Sequence, residues 1–268
     1  MSDDPTRFVG SIPDHYDKGM GPVMFAGPAD VIAQRVASFE PSRVLETAAG
    51  TGIVTRRMRD LLASAAVVVA TDLNPAMLEV SRQKFRPDET VTFQAADATA
   101  LPFADGDFDA VVCQFGVMFF PDKDKSYREA RRVLAPGGRY LFSVFDTIDH
   151  NPFARILADA VRSAFDADPP PFMSVPYGYA AIDPIKTSLL SSGFAGLRVD
   201  LVRMRGTIAD FDAFAIGMVR GSPLVDQIRS RGVDPEKLAT GVAQSLRNEF
   251  GVVGSTPLQF ILFEACRE

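Results

Sequence analysis

Between Arg43 and Phe145 short apolar runs alternate with segments whose apolar residues recur at helical spacing. The runs are RVLET, VVVAT, VTFQA, FDAVVCQF and GRYLFSVF, and this alternation predicts strands joined by helices in a parallel sheet. In the first connection, Ile53 to Ala63, the residues Val54, Met58, Leu61 and Leu62 form a stripe expected to face the sheet. Arg56, Arg57 and Arg59 are expected on its solvated side. The second connection opens with Asn74 as an N-cap and Pro75 at the first helical position, and turns Met77, Leu78 and Phe85 toward the core. The helix before the fifth strand carries Tyr127, Ala130, Val133 and Leu134 and is expected to stop at Pro136-Gly137-Gly138.

After Phe145 the alternation is interrupted. A helix is expected from Pro152 to Phe165, then a stiff extended connector through Asp168-Pro169-Pro170-Pro171-Phe172. A short helix from Asp183 ends at Gly193, and AGLRVDLVRMR alternates as a half-exposed sixth strand. Three helices fit Thr207 to Val219, Ser222 to Arg231 and Asp234 to Phe250, the last two opening on the cap-plus-proline pairs Ser222-Pro223 and Asp234-Pro235. A closing strand is expected from Leu258 to Ala265. The pattern describes one decorated domain over residues 1–268, with a core at 43–145, an N-terminal cap segment at 1–42 and helical cap insertions at 151–195 and 207–250.

Composition narrows the function. With 28 Lys+Arg against 34 Asp+Glu the net charge is −6, which argues against nucleic acid or an anionic lipid surface as partner. The two cysteines, Cys113 and Cys266, sit in apolar stretches and cannot build a disulfide framework or a zinc site, so no metal is expected. The N-terminus MSDDPTRFVG has no signal-like apolar core, and the longest apolar run, Leu61 to Ala70, is too short to span a bilayer; the cytoplasm is the expected compartment.

The chemistry concentrates in Val44-Leu45-Glu46-Thr47-Ala48-Ala49-Gly50-Thr51-Gly52, a strand running into small residues that let a ligand approach the backbone. Asp72, twenty residues beyond Gly52 and directly after VVVAT, is placed where a carboxylate can accept both hydroxyls of a ribose. The third glycine of a dinucleotide fingerprint is Thr55, which weakens the case for a pyrophosphate, and Glu46 just upstream suits a ligand with cationic groups. Taken singly, Gly50 and Gly52 read as turn glycines and Asp72 with Asn74 as a helix start; their joint order favours a nucleoside cofactor.

In order, VLETAAGTG, ATDLNPAML, FQAADATALPF, FDAVVCQFGVMFFPD and RRVLAPGGRYLFSVF resemble the motifs of class I S-adenosylmethionine-dependent methyltransferases, in the small-molecule branch akin to quinone C-methyltransferases. The resemblance implies a doubly wound, Rossmann-like α/β fold with seven strands in the order 3-2-1-4-5-7-6, the last strand antiparallel. It implies S-adenosylmethionine as cofactor and S-adenosylhomocysteine as product. Glu46, Ala48, Gly50 and Gly52 would line the methionine end, Asp72 would hold the ribose with Leu73 against the adenine, Asp97 and Ala98 would meet the adenine amino edge, and Gln114 and Phe115 would stand near the transferable methyl. Ala48 departs from the family's first glycine and narrows the backbone approach by one methyl group.

The proline box at Asp168 to Phe172 resembles the Asp-Pro-Pro-aromatic box of amine-directed methyltransferases, but it does not follow the fourth strand. The acceptor is therefore expected to be a small, partly apolar molecule. Tyr16, Met20, Met24, Phe25, Phe119, Phe120, Phe172, Tyr177, Tyr179, Phe211, Phe214 and Met218 are candidates for its pocket. The segment His15 to Gly21 is expected as a loop folding over the ligand, and His15 and Tyr16 are the candidate catalytic groups, His15 ahead of His150 as a base. Two alternatives compete. A nicotinamide-dependent reductase lacks its Tyr-x-x-x-Lys pair, because Tyr127, Tyr177 and Tyr179 are followed four residues later by Arg131, Ala181 and Asp183. A cofactor-binding protein without catalysis would keep the same motifs. The motifs leave the acceptor atom and the oligomeric state open.

Overall fold

The computed structural model describes residues 4–165, 167–251 and 254–268. Its centre is a seven-stranded sheet in the order β3-β2-β1-β4-β5-β7-β6, as the motifs imply. The N-terminal part is almost wholly helical: α1 (Ile12–His15) runs into a π-helical stretch, Tyr16–Phe25, and then into α2 (Ala26–Ala37). The expected loop over the ligand is thus a helix, with Gly19, Met20, Gly21, Met24 and Phe25 buried.

The core follows the predicted alternation: β1 (Arg43–Glu46), α3 (Ile53–Leu61), β2 (Val67–Asp72), α4 (Pro75–Arg82), β3 (Val91–Ala95), β4 (Phe108–Gln114), α5 (Lys123–Val133) and β5 (Leu134–Phe145). These five strands pair in parallel, with Leu45 beside Val69 and Val111. Val44, Leu45, Val68, Ala110, Val111 and Val112 are fully or almost fully buried, as a sheet covered on both faces requires. Pro136-Gly137-Gly138 does not end α5. Register is lost between Phe108 paired with Leu134 and Ala110 paired with Arg139, so these residues bulge from β5, held by Gly137 N–H on the Arg267 carbonyl at 2.6 Å.

One side of α3 departs from its pattern. Arg59 is buried and donates to the carbonyls of Leu62, Ala63 and Ala66 and to Thr90 Oγ1, closing the carboxyl end of the helix, whereas Leu61 is 48% exposed. Arg56 is mostly covered, paired with Asp60 and Glu89, and Arg57 reaches Asp30 at 2.8 Å.

Beyond β5 come α6 (Pro152–Ser163), α7 (Ser174–Tyr177), α8 (Ile182–Ser191), β6 (Ala195–Ile208), α9 (Phe211–Arg220), α10 (Leu224–Ser230), α11 (Pro235–Phe250) and β7 (Gly254–Cys266). The chain from Pro171 to Met173 makes a tight helical turn leading into α7, so the proline stretch is not extended throughout. β7 is antiparallel to both β5 and β6. Both outer strands are longer than their apolar patterns: β6 continues to Ile208, pairing with Gly254, so α9 begins at Phe211. Asp234 caps α11 as expected, accepting the Glu236 N–H at 2.9 Å, but Ser222 caps nothing: α10 starts at Leu224 with Pro223 at its N-cap. Among the described residues no helix is long and apolar enough to cross a membrane.

Candidate active site

The turn after β1 is built on three left-handed residues, Ala48 (φ +51°), Gly50 (φ +56°) and Gly52 (φ +76°). It is fastened to β2 by Ala49 N–H on the Thr71 carbonyl at 2.9 Å and by Gly50 N–H on Asp72 Oδ2 at 2.8 Å. Gly52 begins α3 where a β-carbon would lie 1.9 Å from Ser81 Oγ, so its missing side chain sets the distance between α3 and α4. An alanine in the left-handed region is strained by about 1–2 kcal/mol. Ala48 is accommodated across the sheet by Gly116, at which any β-carbon would fall 2.6 Å from that of Ala48.

Asp72 is 7% exposed; besides Gly50, it takes the Asn74 N–H on Oδ1 at 2.8 Å. A carboxylate has about four lone-pair sites, so two remain for a ligand's hydroxyls. Burial raises the Asp72 pKa, opposed by those backbone hydrogen bonds. Asn74 does not cap α4. Its Nδ2 donates to the Thr6 carbonyl at 2.9 Å and its Oδ1 accepts the Phe8 N–H at 3.2 Å, laying an N-terminal strap over the loop. Asp97 uses Oδ1 to accept from the Thr99 N–H and hydroxyl, leaving Oδ2 for a ligand.

These loops open into a cavity of about 540 Å³. Ala48, Gly50, Asp72, Leu73, Asp97, Ala98, Gln114 and Phe115 all line it, and so does Tyr16. Glu46, Gly52 and His15 are not in its wall. Glu46 accepts from Thr55 Oγ1 at 2.5 Å beneath the turn, and burial, with a smaller push from Asp72, lifts its carboxyl to about 8. His15 lies on α1 with its pKa lowered by partial burial and the neighbouring Arg220, and His150 is exposed beside Asp146.

Away from the loops the wall is aromatic and methionine-rich. Tyr16 stacks on Phe25 at 4.7 Å, Phe115 on Phe145 at 4.0 Å, and Phe145 on Tyr177 at 5.0 Å. Phe115 holds φ +52°, a conformation strained for a bulky residue and maintained here by that stacking. Met20, Met24, Phe25, Phe119, Phe120, Phe172, Tyr177 and Met218 line the cavity as expected. Tyr179, Phe211 and Phe214 do not: the Tyr179 hydroxyl meets that of Tyr127 at 3.0 Å, the Arg247 guanidinium lies over Phe211, and Phe214 packs on Phe153. Burial raises the pKa of both Tyr16 and Tyr177, so neither phenol ionises near neutrality. The described wall contains no lysine, arginine or histidine.

Sequence reasoning missed the strap Asp4 to Phe8, Asn74 as its fastener, and Phe145, Phe153 and Ser222 as wall residues. The signal for Phe145 was available, since it ends the fifth strand where ligands meet such sheets. The strap and Ser222 are brought in by folding at long sequence separation.

Residues 45–142 match the methyltransferase domain family. A demethylmenaquinone methyltransferase of Clavibacter sepedonicus is 45% identical over 112 residues, 42% of this chain and 44% of that protein. The ubiquinone/menaquinone biosynthesis C-methyltransferase UbiE of Shewanella frigidimarina is 38% identical over 125 residues, 45% of this chain and 50% of that protein. The chain thus spans about half the length of the curated relatives it matches. In fold it is similar to the YcgJ protein of Bacillus subtilis, with a TM-score of 0.59 and 19% identity over 90% of this chain and 99% of that one. With its sheet order and its cofactor-type loops, the chain carries a class I S-adenosylmethionine-dependent methyltransferase domain related to the quinone C-methyltransferases.

Proposed function

We propose that the protein transfers a methyl group from S-adenosylmethionine to a small, largely apolar molecule. The observation that carries this reading is the continuity of the Asp72 loop with an aromatic cavity, so that a nucleoside end and an acceptor end share one chamber. The turn of small residues, the two free lone-pair sites on Asp72, the Leu73 side chain and Asp97 Oδ2 fit a nucleoside carrying an amino-substituted base. Glu46 and Gly52 support that turn from outside the wall rather than touching the ligand.

When bound, the cofactor supplies a methyl group activated on a sulfonium. The chain's own part is to hold the acceptor in line with it and exclude water, worth about 7–11 kcal/mol in well-oriented cases. The strap, the π-helical stretch and α7 close the cavity, and the stacked Phe115, Phe145 and Tyr177 orient a flat acceptor. With both wall tyrosines kept protonated and His15 outside, the acceptor presents its own nucleophile rather than losing a proton to a neutral-range base. The names of the relatives support a quinone-type acceptor. The net charge of −6 speaks against nucleic acid as substrate and, with no membrane-crossing helix among the described residues, fits work in the cytoplasm.

The test is a thermal melt with S-adenosylhomocysteine and, separately, NADH and NADPH, each at about 100 times Kd, where binding adds about 2.7 kcal/mol. A rise of several degrees with the homocysteine compound alone, at about 2–4 °C per kcal/mol, supports the reading. A rise only with a nicotinamide overturns it. Transfer of labelled methyl to any acceptor then separates an enzyme from a binding protein.

A further inference from the structure

We propose that Ser222 anchors the acceptor, and that the acceptor is a neutral, hydroxyl-bearing ring compound; this rests on the methyl-transfer reading of the same cavity. Ser222 lies outside residues 45–142, in the connection from α9 to α10. Its sequence context, Ser222-Pro223, is that of a helix cap, yet the helix starts at Leu224 and the serine side chain caps nothing. The residue is 6% exposed, lines the cavity, and its hydroxyl has no hydrogen-bond partner in the protein. A buried hydroxyl left unpaired costs about 1–3 kcal/mol, which a ligand group able to meet it recovers. The preceding Gly221 packs so tightly that a β-carbon there would fall 2.8 Å from the Tyr16 nitrogen, which fixes the segment against the π-helical stretch.

Gln114 is the second polar group of this kind. Its Nε2 donates to the Phe25 carbonyl at 3.2 Å, while its Oε1 is buried without a partner. Oε1 can only accept, and the serine hydroxyl can both donate and accept, so the complementary ligand group is one that donates and accepts as well: a hydroxyl. An anion is disfavoured, because the described wall offers no lysine, arginine or histidine and a carboxylate or phosphate moved there would lose its hydration without a counter-charge. The ring follows from the stacked aromatic wall, which matches flat apolar surface.

The probes are 2-naphthol and 2-methylnaphthalene, near-isosteres differing in one hydroxyl, titrated into the full chain with S-adenosylhomocysteine present and absent. In Ser222→Ala the affinity ratio of naphthol to methylnaphthalene is expected to fall about fivefold, the size of one net hydrogen bond, with methylnaphthalene binding retained as evidence of an intact cavity. Ser222→Cys, nearly isosteric and a weak donor, should fall between. An unchanged ratio in both variants, or failure of the wild-type protein to bind either ring, overturns the proposal. Homocysteine-compound binding in the same titrations reports separately on the methyl-transfer reading: a ratio change without it sinks that reading alone, and its presence with no ratio change sinks the role of Ser222 alone.

Discussion

Ala48 and Gly116 are 68 residues apart in sequence, and the structure makes them a pair whose coupling can be measured. Gly116 has φ −100° and ψ −42°, a conformation any residue adopts, so Gly116→Ala tests space and not backbone strain. The added β-carbon would lie 2.6 Å from Ala48 Cβ and 2.7 Å from Cys113 Sγ, with Phe120 at an ordinary 3.7 Å. Reaching an ordinary contact of 3.4 Å requires about 0.8 Å of movement at Ala48, in a turn hydrogen-bonded to β2, so a loss of about 1–3 kcal/mol is expected. Ala48→Gly alone relieves left-handed strain but frees the unfolded chain by a similar amount, and should change stability by less than about 1 kcal/mol. In the Ala48→Gly background one of the two clashes disappears, so Gly116→Ala should cost about 1 kcal/mol less than in the wild type. Urea unfolding of the four proteins closes the cycle. Equal cost of Gly116→Ala in both backgrounds, within about 0.5 kcal/mol, refutes the claim that Gly116 is small on account of Ala48. The same four proteins titrated with S-adenosylhomocysteine should show weakened binding for Gly116→Ala and partial recovery in the double variant, since the displaced turn is the one that lines the cavity.

Asp72→Asn keeps an acceptor for Gly50 but loses the charge; S-adenosylhomocysteine binding, read by calorimetry, should weaken by about 1.5–3 kcal/mol, and unaltered affinity would remove Asp72 from the ribose site. Glu46 is protonated in the folded chain up to about 8 but ionises near 4.5 when unfolded, so between these values the native state holds the extra proton and stability falls as pH rises. Glu46→Gln should abolish that part of the slope, on the order of 3 kcal/mol between pH 5 and 8; parallel stability curves for the two proteins would contradict it. Asn74→Ala releases both tethers of the strap, so hydrogen exchange at the Phe8 amide should accelerate about fivefold or more while the Asn74 backbone bond to Asp72 persists at the substituted residue.

How much of this was legible depends on the distance over which each feature is encoded. The buried strands announce themselves within five to eight residues, because a strand covered on both faces must be apolar throughout, and the loops at their ends carry their chemistry in sequence order. Arg59 misled because a charge on a helix normally faces water; here its guanidinium closes the carbonyls that α3 and the following turn leave open, a role visible only once β2 and Thr90 are placed beside it. Phe145 continued the pattern of its strand, but its place in the wall depends on Phe115 turning to φ +52° against it.

The pairs Ser222-Pro223 and Asp234-Pro235 carry the point furthest. Both read as helix starts, and the local rule behind that reading is sound: Asp234 accepts the Glu236 N–H and α11 begins where the pair predicts. At Ser222 the preceding helix ends at Arg220, and Gly221 is pressed against the π-helical stretch, which leaves Pro223 at the N-cap and the serine hydroxyl facing inward without a partner. The tertiary contact that breaks the cap is therefore the one that creates the candidate acceptor anchor. A residue whose strong local preference is overridden, at the wall of a cavity and with a buried group left unpaired, is where a ligand's contribution should be sought first.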